Sequence, residues 1–172
     1  NVHFNYFRIT RGISENFTAM NVVALKKGTA EENWTIIVCA HYDSYSEFDP
    51  SVSAPGANDN AAGVAAVMEV AYVLNALSLN RTVIFIAFSS EEFGLQGSMS
   101  WVTKNTEILK STVAVLCLDG IARGKAIAVM FSLEASDSLA RYVCDTAERL
   151  GYENFYARPV AVVGSDSDSF EM

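Results

Sequence analysis

The apolar residues of this chain fall into short runs that switch between two periods. Asn5 to Thr10 alternates weakly, Gly12 to Glu15 reads as a turn and Phe17 to Leu25 as a strand, so the chain is expected to open with a hairpin. Thr35 to Ala40 (TIIVCA), Thr82 to Phe88 (TVIFIAF) and Thr112 to Leu118 (TVAVLCL) are unbroken apolar runs of strand length, the pattern of strands covered on both faces. Tyr42 to Gly56 is rich in Ser, Asp and Pro and is expected to be a loop. Asn58 and Asp59 then open a helical pattern in which Val64, Val67, Met68, Ala71 and Leu74 share one side. Val70 and Val73 add a second apolar side, which predicts a largely buried helix. A further helix is expected from Glu91 to about Val102, and another between an N-cap at Ser136 and a stop at Gly151. Pro159 to Val163 resembles a last strand. Strands alternating with helices predict an α/β sandwich around a mostly parallel sheet.

Composition and charge narrow the function classes. Half of the 172 residues are hydrophobic and under a fifth are charged, enough apolar material for one compact domain with a substantial core. The formal net charge of −8 argues against a nucleic-acid footprint and leaves room for carboxylates gathered around cations. No apolar stretch reaches the ~20 residues of a membrane span, and no signal peptide is visible in the sequence. Cys39, Cys117 and Cys144 are widely spaced and form no CxxC pair, so a thiolate metal site has no support, and Cys39 and Cys117 read as thiols packed in apolar runs. Sequons at Asn16, Asn33 and Asn80 matter only if the chain is exported from a eukaryotic cell.

The candidate chemistry lies where the apolar strands end. TIIVCA runs into His41-Tyr42-Asp43, TVIFIAF into Ser89-Ser90-Glu91-Glu92, and TVAVLCL into Asp119, while Asp59 stands at the start of the long helix. In an open α/β sheet, ligands bind beyond the carboxyl ends of the strands. Each residue taken alone has an ordinary structural explanation: a loop histidine, an aspartate N-cap, glutamates complementing a helix dipole. Asp119, ending a buried strand, is harder to explain that way, since charge is rarely buried unpaired. Zinc takes imidazole nitrogen and carboxylate oxygen, and a carboxylate can bridge two ions. Of the adjacent Glu91 and Glu92, one can bind metal while the other takes a proton from water. Asp43, two residues beyond His41, can supply the acceptor that a ligating imidazole needs on its second nitrogen.

In order, AHYDS (Ala40 to Ser44), PGANDNAAG (Pro55 to Gly63), FSSEEFGLQGS (Phe88 to Ser98) and Leu118-Asp119 resemble the M28 zinc aminopeptidase family, over roughly Val22 to Phe170. The resemblance implies a three-layer αβα sandwich around a mostly parallel, mixed central sheet. It implies two zinc sites, with His41 and Asp119 on one ion, Glu92 on the other, Asp59 bridging, Glu91 as general base and general acid, and a cis peptide at Asp59-Asn60. The implied activity is removal of N-terminal residues from peptides, and the family favours an exported location. Met99, Phe93 and Tyr45 are candidates for a side-chain pocket, although a core or surface role is the commoner one for each.

Two departures bear on that inference. The family's last ligand is a histidine in a pattern like S-D-H-x-x-F, and here Ser165-Asp166-Ser167-Asp168-Ser169-Phe170 puts Ser167 in its place. A neutral hydroxyl is a poor zinc ligand, so the second site is expected to be weakened unless Asp166 or Asp168 compensates. The family also continues through another strand and helix beyond the position of Met172, so residues 1–172 are expected to form one metallopeptidase-like domain lacking that segment. Two other readings follow from the missing histidine: a non-catalytic binding scaffold of the same fold, and a single-zinc enzyme that cyclises N-terminal glutamine.

Overall fold

The structure is a computed structural model that describes residues 1–10, 17–30, 34–46, 49 and 53–171. The expected turn at Gly12 to Glu15 and the sequons at Asn16 and Asn33 lie outside the described residues. The expected opening strands are β1 (Val2–Arg8) and β2 (Thr18–Lys26), paired antiparallel in one register from Val2 opposite Ala24 to Arg8 opposite Thr18. The three apolar runs are β3 (Thr35–His41), β4 (Thr82–Phe88) and β5 (Thr112–Cys117). They complete a mixed five-stranded sheet in the order β1-β2-β4-β3-β5, in which β3 lies parallel to β4 on one side and to β5 on the other.

Both faces of the inner strands are covered, which is why their sequences do not alternate. Ile37 and Cys39 of β3 face one side with Ile84, Ile86 and Phe88 of β4, where Trp101 and Phe170 pack on them. Val38 and Ala40 face the other side with Val83 and Phe85, against Val67 of α1 (Ala62–Asn75). Trp101 belongs to α2 (Gln96–Lys104), so α1 and α2 cover opposite faces of the sheet and make the three layers. The chain passes from β3 through α1 to β4, and from β4 through α2 and the short α3 (Thr106–Leu109) back to β5 on the far side of β3. Strand order therefore reverses around β3, and the carboxyl end of β3 is where an open α/β sheet leaves its crevice.

The structure departs from the expected elements in four places. The helix opening at Asn58 starts later: Ala57–Ala61 is a π-type turn with non-helical backbone at Asp59 and Asn60, and α1 begins at Ala62. Nor is α1 largely buried, since Gly63 and Val67 are its buried residues and Met68 and Tyr72 are exposed on the side away from the sheet. The helix expected from Glu91 starts at Gln96, because Ser90 and Leu95 adopt left-handed backbone at φ 62° and 58° and turn the chain between them. The last strand is β7 (Phe155–Pro159), parallel to β6 (Ile127–Phe131), and not Pro159 to Val163. Its pairing stops because β6 ends at Phe131, whose carbonyl takes the Val160 N–H. The helix α4 (Asp137–Arg149) packs on this second, two-stranded sheet; Ser136 precedes it without a side-chain capping bond.

One close approach fixes α1 against β5. A Cβ on Gly63 would overlap Leu118 O and Asn60 Oδ1. The Asn60 side chain spans the same gap, donating Nδ2–H to Leu118 O at 2.8 Å and accepting the Gly63 N–H on Oδ1 at 3.1 Å. Because the clash is with backbone, Gly63→Ala is expected to destabilise the fold by about 1–3 kcal/mol, read as a lower denaturation midpoint in urea. An unchanged midpoint would show that the two elements can part without cost.

Candidate functional site

Four chain segments meet at the carboxyl ends of β3, β4 and β5. His41 is the last residue of β3 and is buried; being on the middle of the three parallel strands, it has the residues that follow β4 on one side and those that follow β5 on the other. Asp119 follows β5, with Gly120 at φ 62° turning the chain immediately after it. Asp59 reaches in from the π-type turn, and the Asp59-Asn60 peptide is cis. The residues that flank Asp59 fasten it to the Asp119 segment: Asn60 to Leu118 O, and Asn58 Oδ1 to the Ala122 N–H at 2.9 Å.

Distances within this group are short. His41 Nε2 lies 3.0 Å from Asp59 Oδ1, 3.5 Å from Asp119 Oδ1 and 4.0 Å from Glu91 Oε2. One donor atom each from His41, Asp59 and Asp119 falls within 4.8 Å of the others, and the same holds for His41, Glu91 and Glu92. The five residues picked out at the strand and helix ends are thus brought together. Asp43 joins them, but its carboxylate does not chiefly serve His41. The His41 Nδ1 partner at 3.1 Å is the main-chain carbonyl of Asp43, with Asp43 Oδ1 at 3.7 Å. The N-cap reading of Asp59 fails as well, because Asn60 accepts the first-turn N–H of α1 while the Asp59 side chain is 60% exposed over the site. Of the pocket candidates, Phe93 is half-buried, Tyr45 is exposed, and Met99 lines a cleft with Phe7, Arg8 and Gln96.

Crowding of carboxylates shapes the electrostatics. Burial pulls the His41 pKa down, but the nearby carboxylates of Asp119 and Asp43 and the charge of Glu91 outweigh it and push it up to about 11. Burial raises Glu91 to about 7, with His41 opposing and Asp166, Asp119 and Glu92 reinforcing. Glu92 is raised mainly by burial and then by the charge of Asp59. Burial also works to raise Asp119, but hydrogen bonds from His41 and Ser165 win and hold it below its ordinary value. Ser165 Oγ donates to Asp119 Oδ2 at 2.6 Å, and the Cys117 thiol lies 3.4 Å from the same hydroxyl.

Sequence reasoning treated Asp166 only as a stand-in for a missing ligand. It is wholly buried, and burial raises it to about 7 against the opposing influences of the Ser98 hydroxyl and His41. Neither of its carboxylate oxygens forms a well-made hydrogen bond, and Ser167 Oγ beside it is also buried without a partner. Its signal in the sequence was an aspartate inside a Ser-rich turn just before an aromatic, Phe170, that packs half-buried against the core.

These shifts predict how the metal-free protein responds to pH. The folded-state pKa values of Asp166 and Glu91, about 7, lie above the ~4 of an unfolded carboxyl. The folded state therefore holds protons that the unfolded state has released, and the stability they contribute is complete below about pH 4 and lost as pH rises to about 7. His41 acts in the same direction over a higher window, from its ordinary ~6.5 to about 11. The melting temperature of the zinc-free chain is expected to fall between pH 4 and 7, and to fall less in Asp166→Asn. Equal slopes in the two proteins would contradict the assignment to Asp166.

The donor set fits zinc: one imidazole and several carboxylates on converging strand ends, with buried, unpartnered oxygens of Asp166 and Ser167 beside them. The first group, His41, Asp59 and Asp119, fits it fully. The second group shares His41 with the first and adds Glu91 and Glu92.

Comparison with known proteins agrees with this chemistry. Residues 21–172 match Peptidase family M28. The aminopeptidase YwaD of Bacillus subtilis is 32% identical over 145 residues, 81% of this chain and 30% of that protein. A probable zinc metalloprotease of Pyricularia oryzae is 31% identical over 153 residues, 87% of this chain and 29% of that one. Among solved structures, the zinc aminopeptidase BSAP from B. subtilis superposes with a TM-score of 0.73 at 30% identity, covering 91% of this chain and 38% of that chain. A glutaminyl cyclase from an Acidobacteriales bacterium superposes with a TM-score of 0.81 at 16% identity, covering 99% of this chain and 60% of that chain, a likeness of fold alone. The chain spans about three-tenths of the length of these curated relatives.

Proposed function

As the chain belongs to peptidase family M28, we propose that it carries the catalytic site of a zinc-dependent aminopeptidase that removes N-terminal residues from peptides. The observation that carries this reading is the place of Glu91. Its side chain is 12% exposed and 4.0 Å from His41, it stands beside Glu92, and it has a pKa of about 7. A carboxyl that can both take and return a proton near neutrality is what peptide hydrolysis requires of a general base that later serves as an acid.

His41 and Asp119 would hold one ion, Glu92 the other, and Asp59 would bridge the two. Zinc bound there would polarise a scissile carbonyl and lower the pKa of a water. The protein's own part is then proton management and orientation. Glu91 Oε2 takes the proton of the attacking water and hands it to the departing amine. Asp119 is kept ionised by His41 and Ser165, and Asp43 holds the imidazole in place through its main-chain carbonyl. Acidic residues gathered around the site suit the free α-ammonium of a peptide. The family and the relatives that include a probable lipoprotein aminopeptidase favour a location outside the cytoplasm. No helix among the described residues is long and apolar enough to cross a membrane.

The test is hydrolysis of a short peptide with zinc added, followed by mass analysis of the products. Release of the first residue from a free peptide, and none from its N-acetylated form, is the expected result. Conversion of a glutamine-starting peptide to pyroglutamate without release of a residue would replace this reading with a cyclase. Silence on every substrate, with zinc shown to be bound, would favour a binding scaffold.

A further inference from the structure

The two carboxylate oxygens of Asp43 are both engaged on the wall of the site that carries the glutamates. Oδ1 accepts the Glu91 N–H at 3.1 Å and Oδ2 accepts the Glu92 N–H at 3.2 Å. The turn that receives them is one the chain would not favour unaided. It begins at Ser90 and ends at Leu95, two residues with a Cβ in left-handed backbone. Helical hydrogen bonds do not hold its front edge either. Gly94 N–H and Leu95 N–H go to Glu91 O, and Gln96 N–H goes to Ser90 O, which leaves the amides of Glu91 and Glu92 to Asp43. The Asp43 side chain is 16% exposed, so little water competes for these bonds, and charge-assisted bonds to backbone N–H are the strong kind.

We propose that Asp43 is a positioning residue for Glu91 and Glu92, its carboxylate clasping their backbone amides and so fixing the turn that aims both side chains. This rests on the reading of Glu91 as proton carrier and Glu92 as ligand. The clasp links the end of β3 to the segment after β4, so the imidazole and the two glutamates are set by one residue through different atoms: His41 through the main chain, the glutamates through the side chain. An aspartate that merely oriented His41 through its carboxylate would behave differently on substitution. An asparagine side chain has one acceptor oxygen and one NH2 group, so in Asp43→Asn one of the two amides faces a donor. The main-chain contact to His41 survives the change.

The experiment is amide hydrogen exchange on the whole chain, comparing the unmodified protein with Asp43→Asn and Asp43→Ala. Zinc affinity is measured in the same variants, alone and combined with Glu92→Ala. Exchange at Glu91 and Glu92 is expected to speed up by about tenfold or more, while the amides of β3 and β4 hold their rates. Zinc affinity is expected to fall by about tenfold in Asp43→Asn, and that loss is expected to vanish in the Glu92→Ala background. Unchanged exchange at Glu91 and Glu92 would overturn the proposal. So would a zinc loss that persists undiminished without Glu92, because the effect would then run through His41. Should Asp43→Ala not fold, Asp43→Asn carries the comparison alone. Neither readout needs turnover. A protein that shows both effects yet hydrolyses nothing keeps the clasp and loses the peptidase reading.

Discussion

Replacing Glu91 by glutamine is expected to lower kcat on an aminoacyl substrate by about 10²–10⁴-fold, the usual range for removing a general acid–base group, while zinc content stays unchanged. Glutamine has nearly the shape of glutamate, and the Asp43 clasp acts on the backbone amide at position 91, so the turn should keep its form. Glu91 is also the member of the cluster whose ionised form burial disfavours up to about pH 7, and removing that charge relieves repulsion from Asp166, Asp119 and Glu92. The variant is therefore expected to be at least as stable as the parent when free of metal. Loss of activity accompanied by loss of zinc would make Glu91 a ligand and not a proton carrier. Activity retained within a few-fold would remove Glu91 from the chemistry altogether.

The second large effect is expected at Ser167. Its hydroxyl is buried with no partner, next to a buried carboxylate that is equally unpartnered. By the family motif Ser167 stands where the last histidine ligand is expected, so Ser167→His would add a nitrogen donor beside those of His41, Glu91 and Glu92. Tightening of the weaker zinc step by about 100-fold is expected, an effect of the size that ligand and near-ligand changes produce. Titration against a chromophoric chelator would show it, with the unmodified chain binding one ion much more tightly than the other. Two equally tight ions in the unmodified chain would contradict the idea that Ser167 weakens a site.

The strands of the core and the residues at their ends were legible because two constraints coincide there. A strand covered on both faces must be apolar throughout, as β3 and β4 are, and β5 follows the same pattern at the sheet edge although Val113 is exposed, so the polar residues after each run mark the ends of the strands. His41, Glu91, Glu92 and Asp119 were found by that rule and Asp59 by its place at a helix start, and the family motifs gave each its implied role. What stayed hidden depends on contacts between distant segments. The turn from Ser90 to Leu95 has residues with a Cβ in left-handed backbone at both ends, and Gly94 at φ 90° is the one local mark that it is not a helix start. Asn60 reads as an ordinary polar residue until Leu118 O is placed against it. The division of Asp43 between main-chain and side-chain duties needed the β4 segment beside it. β6 escaped notice because its five residues are only partly covered, by α4 and β7, and their pattern is weak.

The mounting of the donors has a consequence for which cations the site will accept. His41 ends a strand bonded on both flanks, and Asp119 is gripped by a serine, so the floor of the cage is stiff. Asp59, solvated and carried on a turn, is its one adjustable wall. A container built that way selects poorly by ionic radius. Cobalt should seat with little loss of affinity relative to zinc and manganese more weakly, with the swing of a single carboxylate taking up the difference in size.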